Sequence, residues 1–243
     1  MEFESCGLSD IGLGRLNNED VWAQMPKQKF YILADGMGGH QAGEVAANES
    51  VIYLCNYVNE RSHNPHSSNE WGEILKAGIE KTNAWIHELA QNDPELRGMG
   101  TTLCACLFHD ETLIYGHVGD SRIYRIRKMR ITQLTEDHSL KAELIAKGEL
   151  DESLARSFPH KNVITRAVGT QKTVTPEIQT ASIEPGDLYL LCSDGLTDRL
   201  SDEQLLAAIE STSSLKEATE ELVLDAKKAG SEDNITLLLI QLR

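Results

Sequence analysis

The chain reads as an α+β fold of antiparallel sheets covered by helices, and three observations predict it. Short apolar strands follow one another through turn-like connections instead of alternating with helices as βαβ units do. The helical stretches come in pairs, 42–59 with 71–89 and two more after residue 200. The chain closes on a nearly continuous apolar run, Ile235 to Leu242, as a central strand buried on both faces requires. No linker, repeat or low-complexity tract divides the 243 residues, so one domain over 1–243 is expected.

Taken in order, residues 7–21 carry Gly7, Gly12 and Gly14, which predicts a strand interrupted by a turn with Arg15 and the pair Glu19-Asp20 just beyond it. The apolar run 30–34 is a buried strand that ends in Asp35-Gly36-Met37-Gly38-Gly39-His40. Over 42–59, Val45, Ala46, Ile52, Cys55 and Val58 lie near one helical stripe. Residues 62–69 read as a loop, and from Trp71 to Leu89 apolar residues recur at spacings of three and four, an amphipathic helix. Strands at 101–108 and 112–118 flank His109-Asp110-Glu111, a hairpin turn. A second hairpin pairs 122–127 with 130–134 around Lys128, and 137–158 is polar and helical in pieces. Strands at 175–183 and 188–192 are joined by the turn Glu184-Pro185-Gly186-Asp187. Ser201-Asp202-Glu203-Gln204 and Ser214-Leu215-Lys216-Glu217 have the spacing of capping boxes.

Composition narrows the function. With 38 acids against 23 bases the formal net charge is −15, which argues against binding a nucleic-acid backbone. The surplus serves solubility or marks acids clustered on divalent cations. Five scattered cysteines without a CxxC pair read as buried reduced thiols, and Cys104 and Cys106 would share one face of a strand. No stretch is long enough to cross a bilayer and the acidic N-terminus lacks the features of a signal peptide, so a cytoplasmic location without membrane contact is expected. Gly12-Leu13-Gly14 lacks the third glycine of a dinucleotide loop, and the absence of GK[ST] excludes a P-loop.

The acids repeat a setting. Asp35 precedes Gly36, Asp120 follows Gly119, Asp194 precedes Gly195, Asp233 precedes the last strand, and Glu19-Asp20 precedes Val21-Trp22. Any one of these is accounted for as a turn aspartate; five set directly against apolar strands are not. Carboxylate ligation suits magnesium or manganese rather than zinc or copper, and no HExxH motif argues otherwise. Read by itself, His40 is an exposed loop histidine.

Eight ordered motifs then match one family. Arg15-x-x-Asn18-Glu19-Asp20, Asp35-Gly-Met-Gly-Gly-His40-x-x-Gly43-Glu44, Met99-Gly-Thr-Thr102, Val118-Gly-Asp-Ser-Arg122, Thr135-x-Asp137-His138-Ser139, Arg166-Ala-Val-Gly169, Cys192-Ser-Asp-Gly-Leu-Thr197 and Asp233-Asn-Ile-Thr236 run through nearly the whole chain. Together they resemble the metal-dependent Ser/Thr protein phosphatases of type 2C (the PPM family) in their compact bacterial form. The resemblance implies a four-layer α-β-β-α sandwich, two antiparallel sheets flanked by helices, with a flap at about 140–162. It implies two Mn²⁺ or Mg²⁺ ions, with Asp35 bridging them, the Gly36 carbonyl on one, Asp194 and Asp233 completing one shell and Glu19 and Asp20 serving the other. Asp120 would hold a possible third ion with Asp194.

The implied reaction is hydrolysis of phosphoserine or phosphothreonine by a water or hydroxide bridging the ions, reversing the work of a cognate Ser/Thr kinase. Arg15 would grip phosphate oxygens bidentately, and His40 would protonate the leaving alkoxide. The expected partners are phosphorylated proteins, and the expected state is a monomer. Cys192, His117, His138 and Arg122 are read as structural. A non-catalytic scaffold of the same fold would lack ligands, and none is missing; a phosphodiesterase or small-molecule phosphatase would be told apart by its substrates.

Overall fold

The computed structural model describes the chain apart from residues 39–41, 64–66, 152–153, 155–157 and 161. Two antiparallel sheets lie face to face. The first runs β1 (Phe3–Asp10), β11 (Ile235–Leu242), β10 (Leu188–Cys192), β7 (Arg122–Arg127) and β8 (Arg130–Gln133). The second runs β2 (Asp20–Met25), β3 (Phe30–Met37), β5 (Leu103–His109), β6 (Thr112–Val118) and β9 (Glu177–Ser182), with the short β4 (Gly100–Thr101) beside the end of β3. Helices α1 (Ala42–Arg61) and α2 (Ser68–Asn92) cover the second sheet. Helices α5 (Asp202–Glu210) and α6 (Leu215–Lys228) cover the first. Two shorter helices, α3 (Leu140–Ala146) and α4 (Asp194–Thr197), follow β8 and β10.

The period-two alternation of strands sorts side chains into three apolar layers. Along β3, Phe30, Ile32 and Ala34 face α1 and α2, while Tyr31 and Leu33 enter the space between the sheets. Along β11, Ile235, Leu237 and Leu239 pack toward α5 and α6, while Leu238, Ile240 and Leu242 enter that same middle layer. This is why both strands read as continuous apolar runs: each is covered twice. Cys104 and Cys106 share the middle layer, as their alternation requires. The four-layer sandwich is therefore the observed architecture, and no helix among the described residues is long and apolar enough to cross a membrane.

Three local expectations change. Residues 7–21 are not one interrupted strand: β1 belongs to the first sheet and β2 to the second, with the intervening loop crossing between them. The strand read over 30–34 does not stop there but runs on through Asp35 to Met37, paired at its end with β4. The predicted turn Glu184–Asp187 forms, the Asp187 amide donating to the Glu184 carbonyl at 3.1 Å, and it carries the chain from β9 in one sheet to β10 in the other. Asp187 anchors that crossover, accepting from Arg127 Nε and Nη2 at 2.6 Å each and from the Tyr189 hydroxyl at 3.0 Å. The third concerns caps. Ser201 and Gln204 form the predicted box. Ser214 accepts from the Glu217 amide, but the Glu217 carboxylate accepts from Ser213, one residue earlier than a box requires. A box absent from the reading of the sequence, Ser67 with Glu70, starts α2 inside the stretch read as a loop.

Candidate metal centre

Asp20 and Asp35 face each other across the β2–β3 ladder. Like charges directly opposite destabilise a sheet, so other contacts must hold the pair. The Asp35 backbone is fixed on both sides: its amide donates to Thr102 Oγ1 at 3.0 Å, and its carbonyl accepts from the Thr102 amide and Thr101 Oγ1, both at 2.8 Å. The Asp20 amide donates to Asn18 Oδ1 at 3.1 Å, and Asp20 Oδ2 accepts from Ser193 Oγ at 2.7 Å. Ser193 Oγ also accepts from the Thr236 amide, which ties the acid on the second sheet to two strands of the first.

Glu19 is held from across the molecule. Its amide donates to Asn234 Oδ1 at 2.9 Å, and Asn234 Nδ2 donates to the carbonyls of Ile11 and Asn17. One asparagine at the start of β11 thus shapes the whole crossing loop. Gly36 packs so tightly against the backbones of Gly43 and Glu19 that no side chain fits there.

The remaining acids arrive from neighbouring strand ends. Asp194 opens α4 directly after β10 and keeps partial solvent access. Asp120 follows Gly119 in the β6–β7 connection; Gly119 has φ +106°, and a Cβ there would strike Thr102. Asp233 precedes β11 and accepts from Arg15 Nη2 at 2.7 Å, with both side chains partly exposed. Arg15, Asp194 and Asp233 line a cleft of about 290 Å³, with Asn162 and Arg199 also on its wall.

The electrostatics are those of crowded acids. Burial, then the charges of Asp20, Asp194, Asp120 and Asp233, push the Asp35 carboxyl well above the usual range. Burial, then Asp120 and Asp233, do the same to Asp194. Burial chiefly pushes Asp20 and Asp120 up to about 6. Glu19 is also raised, again by burial first. The Oδ1 atoms of Asp20 and Asp120 are buried and have no hydrogen-bond partner. An all-oxygen donor set of this kind, with buried lone pairs and mutual repulsion, fits hard divalent cations.

The structure therefore brings Arg15, Glu19, Asp20, Asp35, Gly36, Asp120, Asp194 and Asp233 to one end of the sandwich; His40 lies outside the described residues. Asp198, the C-cap of α4, adds charge beside Asp194 and Asp120. Its i, i+4 spacing from Asp194 is the signal in the sequence that places the two carboxylates one helical turn apart. The holding roles of Thr101, Thr102, Ser193 and Asn234 were invisible there, although all four stand inside the quoted motifs. Arg122 grips Asp137 through Nε and Nη2 at 2.8 and 2.7 Å and donates from Nη1 to the Tyr124 hydroxyl at 2.9 Å. Burial lifts the Cys192 thiol to about 12, which rules out a ready thiolate. His117 and His138 stack on each other outside the acidic cluster.

Comparison with known proteins agrees with this arrangement. The family profile described as Protein phosphatase 2C matches residues 7–229. Protein phosphatase PhpP of Streptococcus pneumoniae is 39% identical over 239 residues, covering 97% of this chain and 96% of its own. The serine/threonine phosphatase stp of Listeria welshimeri is 36% identical over 236 residues, with 96% and 93% covered. The fold superimposes on the Mycobacterium tuberculosis serine/threonine phosphatase PstP/Ppp with a TM-score of 0.92 at 34% identity, over all of both chains. It also matches the PstP catalytic domain in complex with two manganese ions, TM-score 0.88 at 34% identity, over 99% of this chain and 98% of that one. The chain belongs to the protein phosphatase 2C family and is a Ser/Thr protein phosphatase.

Proposed function

We propose that Glu19, Asp20, Asp35, Asp194 and Asp233, with the Gly36 carbonyl, hold two ions of the Mn²⁺/Mg²⁺ class, Asp35 being shared, and that Asp120 and Asp194 hold a weaker third. The observation that supports this is the clustering of mutually repelling carboxylates, two of them with buried unpartnered oxygens, at one end of the sandwich, where Asp194 and Asp233 open onto the cleft. When bound, the ions neutralise charge on the substrate phosphate and supply an acidified water as nucleophile. Arg15 stands half exposed at the cleft wall, paired with Asp233. Its planar fork turns to two phosphate oxygens when substrate enters, orienting the ester and balancing its charge. His40, assigned from the sequence motif, gives its proton to the serine or threonine oxygen as the P–O bond breaks, so that a neutral hydroxyl leaves.

The whole chain then acts as one catalytic domain, and the stretch 140–162, of which 152–153, 155–157 and 161 lie outside the described residues, serves as the flap that selects among phosphoproteins. It works as a monomer in the cytoplasm, opposing a Ser/Thr kinase. Purified protein with Mn²⁺ is expected to hydrolyse a phosphothreonine peptide faster than a cyclic dinucleotide or a sugar phosphate, and chelation is expected to abolish turnover. Activity that survives complete chelation would overturn the metal assignment.

His40→Ala separates proton donation from binding. It is expected to slow phosphoserine hydrolysis by roughly 10²–10⁴-fold. Hydrolysis of p-nitrophenyl phosphate, whose leaving group needs no proton, should change far less. Equal losses on the two substrates would assign His40 to binding instead.

A further inference from the structure

Outside the acidic cluster, on the far edge of the second sheet, three side chains converge that the phosphatase reaction does not use. His117 on β6 and Glu177 on β9 are directly paired residues of the ladder, so they project from the same face. His138, in the connection between β8 and α3, lays its ring on that of His117 with centroids 4.5 Å apart. One ligand atom from each of the three lies within 4.8 Å of the others. His117 and His138 are 2% and 4% exposed, whereas Glu177 keeps an open edge to solvent.

The two imidazoles are prepared differently. His117 Nε2 lies 2.7 Å from the Glu136 carbonyl, so it carries the proton and donates there. That leaves Nδ1 with a free lone pair, and this atom is buried without any hydrogen-bond partner. A histidine whose far nitrogen is anchored on a carbonyl is the usual arrangement for a metal ligand. His138 Nδ1 accepts from the Gly119 amide at 3.1 Å, which places its proton on Nε2, 3.1 Å from Glu177 Oε1. A positive group already stands over this pair: Arg166 Nη1 is 3.2 Å from His138 Nε2 and 3.5 Å from Glu177 Oε1, at the end of a partly exposed side chain.

We infer that His117, His138 and Glu177 form a second metal site, chemically distinct from the carboxylate centre, that takes a zinc-class divalent ion in place of the Arg166 guanidinium. Two imidazole nitrogens and one carboxylate, with a fourth position open to water, match zinc and discriminate against magnesium. The site is linked to the acidic cluster through one proton. A metal on His138 Nε2 drives that proton to Nδ1, where it faces the Gly119 N–H donor-to-donor, and the bond between them is lost. Gly119 carries the chain into Asp120, so occupancy is transmitted to an acid of the buried cluster. The site itself stands independently of any role for those acids.

The test uses the full chain in excess Mg²⁺, which saturates oxygen ligands, with Co²⁺ added as a spectroscopic stand-in for zinc. One equivalent is expected to produce the intense visible absorption of four-coordinate, nitrogen-ligated cobalt, and Zn²⁺ should displace it. Glu177→Gln, which keeps shape and strand pairing, should weaken binding at least tenfold, whereas Arg166→Ala should tighten it about tenfold by removing the competing cation. Asp35→Asn should leave the band intact, which separates this site from the carboxylate centre. In the same titration the Gly119 amide resonance should shift. Absence of the band, or identical affinity in Glu177→Gln, overturns the site; a band without movement of the Gly119 resonance overturns its link to Asp120.

Discussion

Asp35→Asn is expected to lower kcat on a phosphothreonine peptide by on the order of 10³-fold, while raising the melting temperature of the metal-free protein. The loss is the scale seen when a preorganised electrostatic group is removed from a reaction centre. The gain in stability follows from the crowding. Asp35 sits opposite Asp20 in the sheet and feels three further carboxylates, so its ionised form is the one the fold disfavours. Asparagine has the same shape, and the contacts that hold this position are made by the Asp35 backbone to Thr101 and Thr102, which the substitution leaves alone. Relief of even ~1 kcal/mol raises the melting temperature by about 2–4 °C in a chain of this size. A variant that is inactive and also less stable without metal would show that Asp35 has a purely architectural role. Circular-dichroism melts in chelator, beside steady-state kinetics in Mn²⁺, read both halves of the expectation.

The second large effect is the pH dependence of stability, and it should invert on adding metal. Burial pushes Asp20 and Asp120 up to about 6 in the folded protein, against 3.8 for an ordinary aspartate, and burial with the neighbouring acids holds Asp35 and Asp194 well above 3.8 too. Between those values the native state binds more protons than the unfolded chain, so stability falls as pH rises. For Asp20 and Asp120 the loss accumulates from about pH 4 to 6 and is complete above, and the raised carboxyls of Asp35 and Asp194 add losses of the same sign. A displacement from 3.8 to about 6 is worth on the order of 3 kcal/mol for one group. Divalent ions need the deprotonated acids and cancel their repulsion, so the stabilisation by Mg²⁺ should be several degrees larger at pH 7.5 than at pH 5. Burial holds His117 and His138 below their ordinary pKa, which gives stability the opposite slope near pH 6. That contribution is common to both samples and cancels in the difference between melts with and without Mg²⁺. Equal stabilisation at the two pH values would mean that the metal does not sit on these carboxylates.

The elements were legible in the sequence because burial imposes a period that survives in the residue types. Ile235–Leu242 is apolar throughout, since the helices take one face and the facing sheet the other, and its bounds match the strand. The acids were legible because an aspartate between a buried strand and a glycine is an unusual place to leave a charge. Partnership was not legible. A strand of given period pairs equally well with several others, so nothing local assigned β1 and β2, or β9 and β10, to different sheets.

The same holds inside the site. The sequence by itself determined that Asp20, Asp194 and Asp233 would sit at strand ends and that Asp35 would follow a buried apolar run, whereas the structure carries β3 on through Asp35 to Met37. Only the tertiary structure decided that Asn234, 215 positions from Glu19, accepts its amide proton, and that Ser193 joins Asp20 to the opposite sheet. It also set His117 and His138, two histidines with no motif spacing between them, against Glu177. The physical reason is that a hydrogen bond or a ligand cluster depends on distances in space, which the chain sets only when both sheets have closed on their common core.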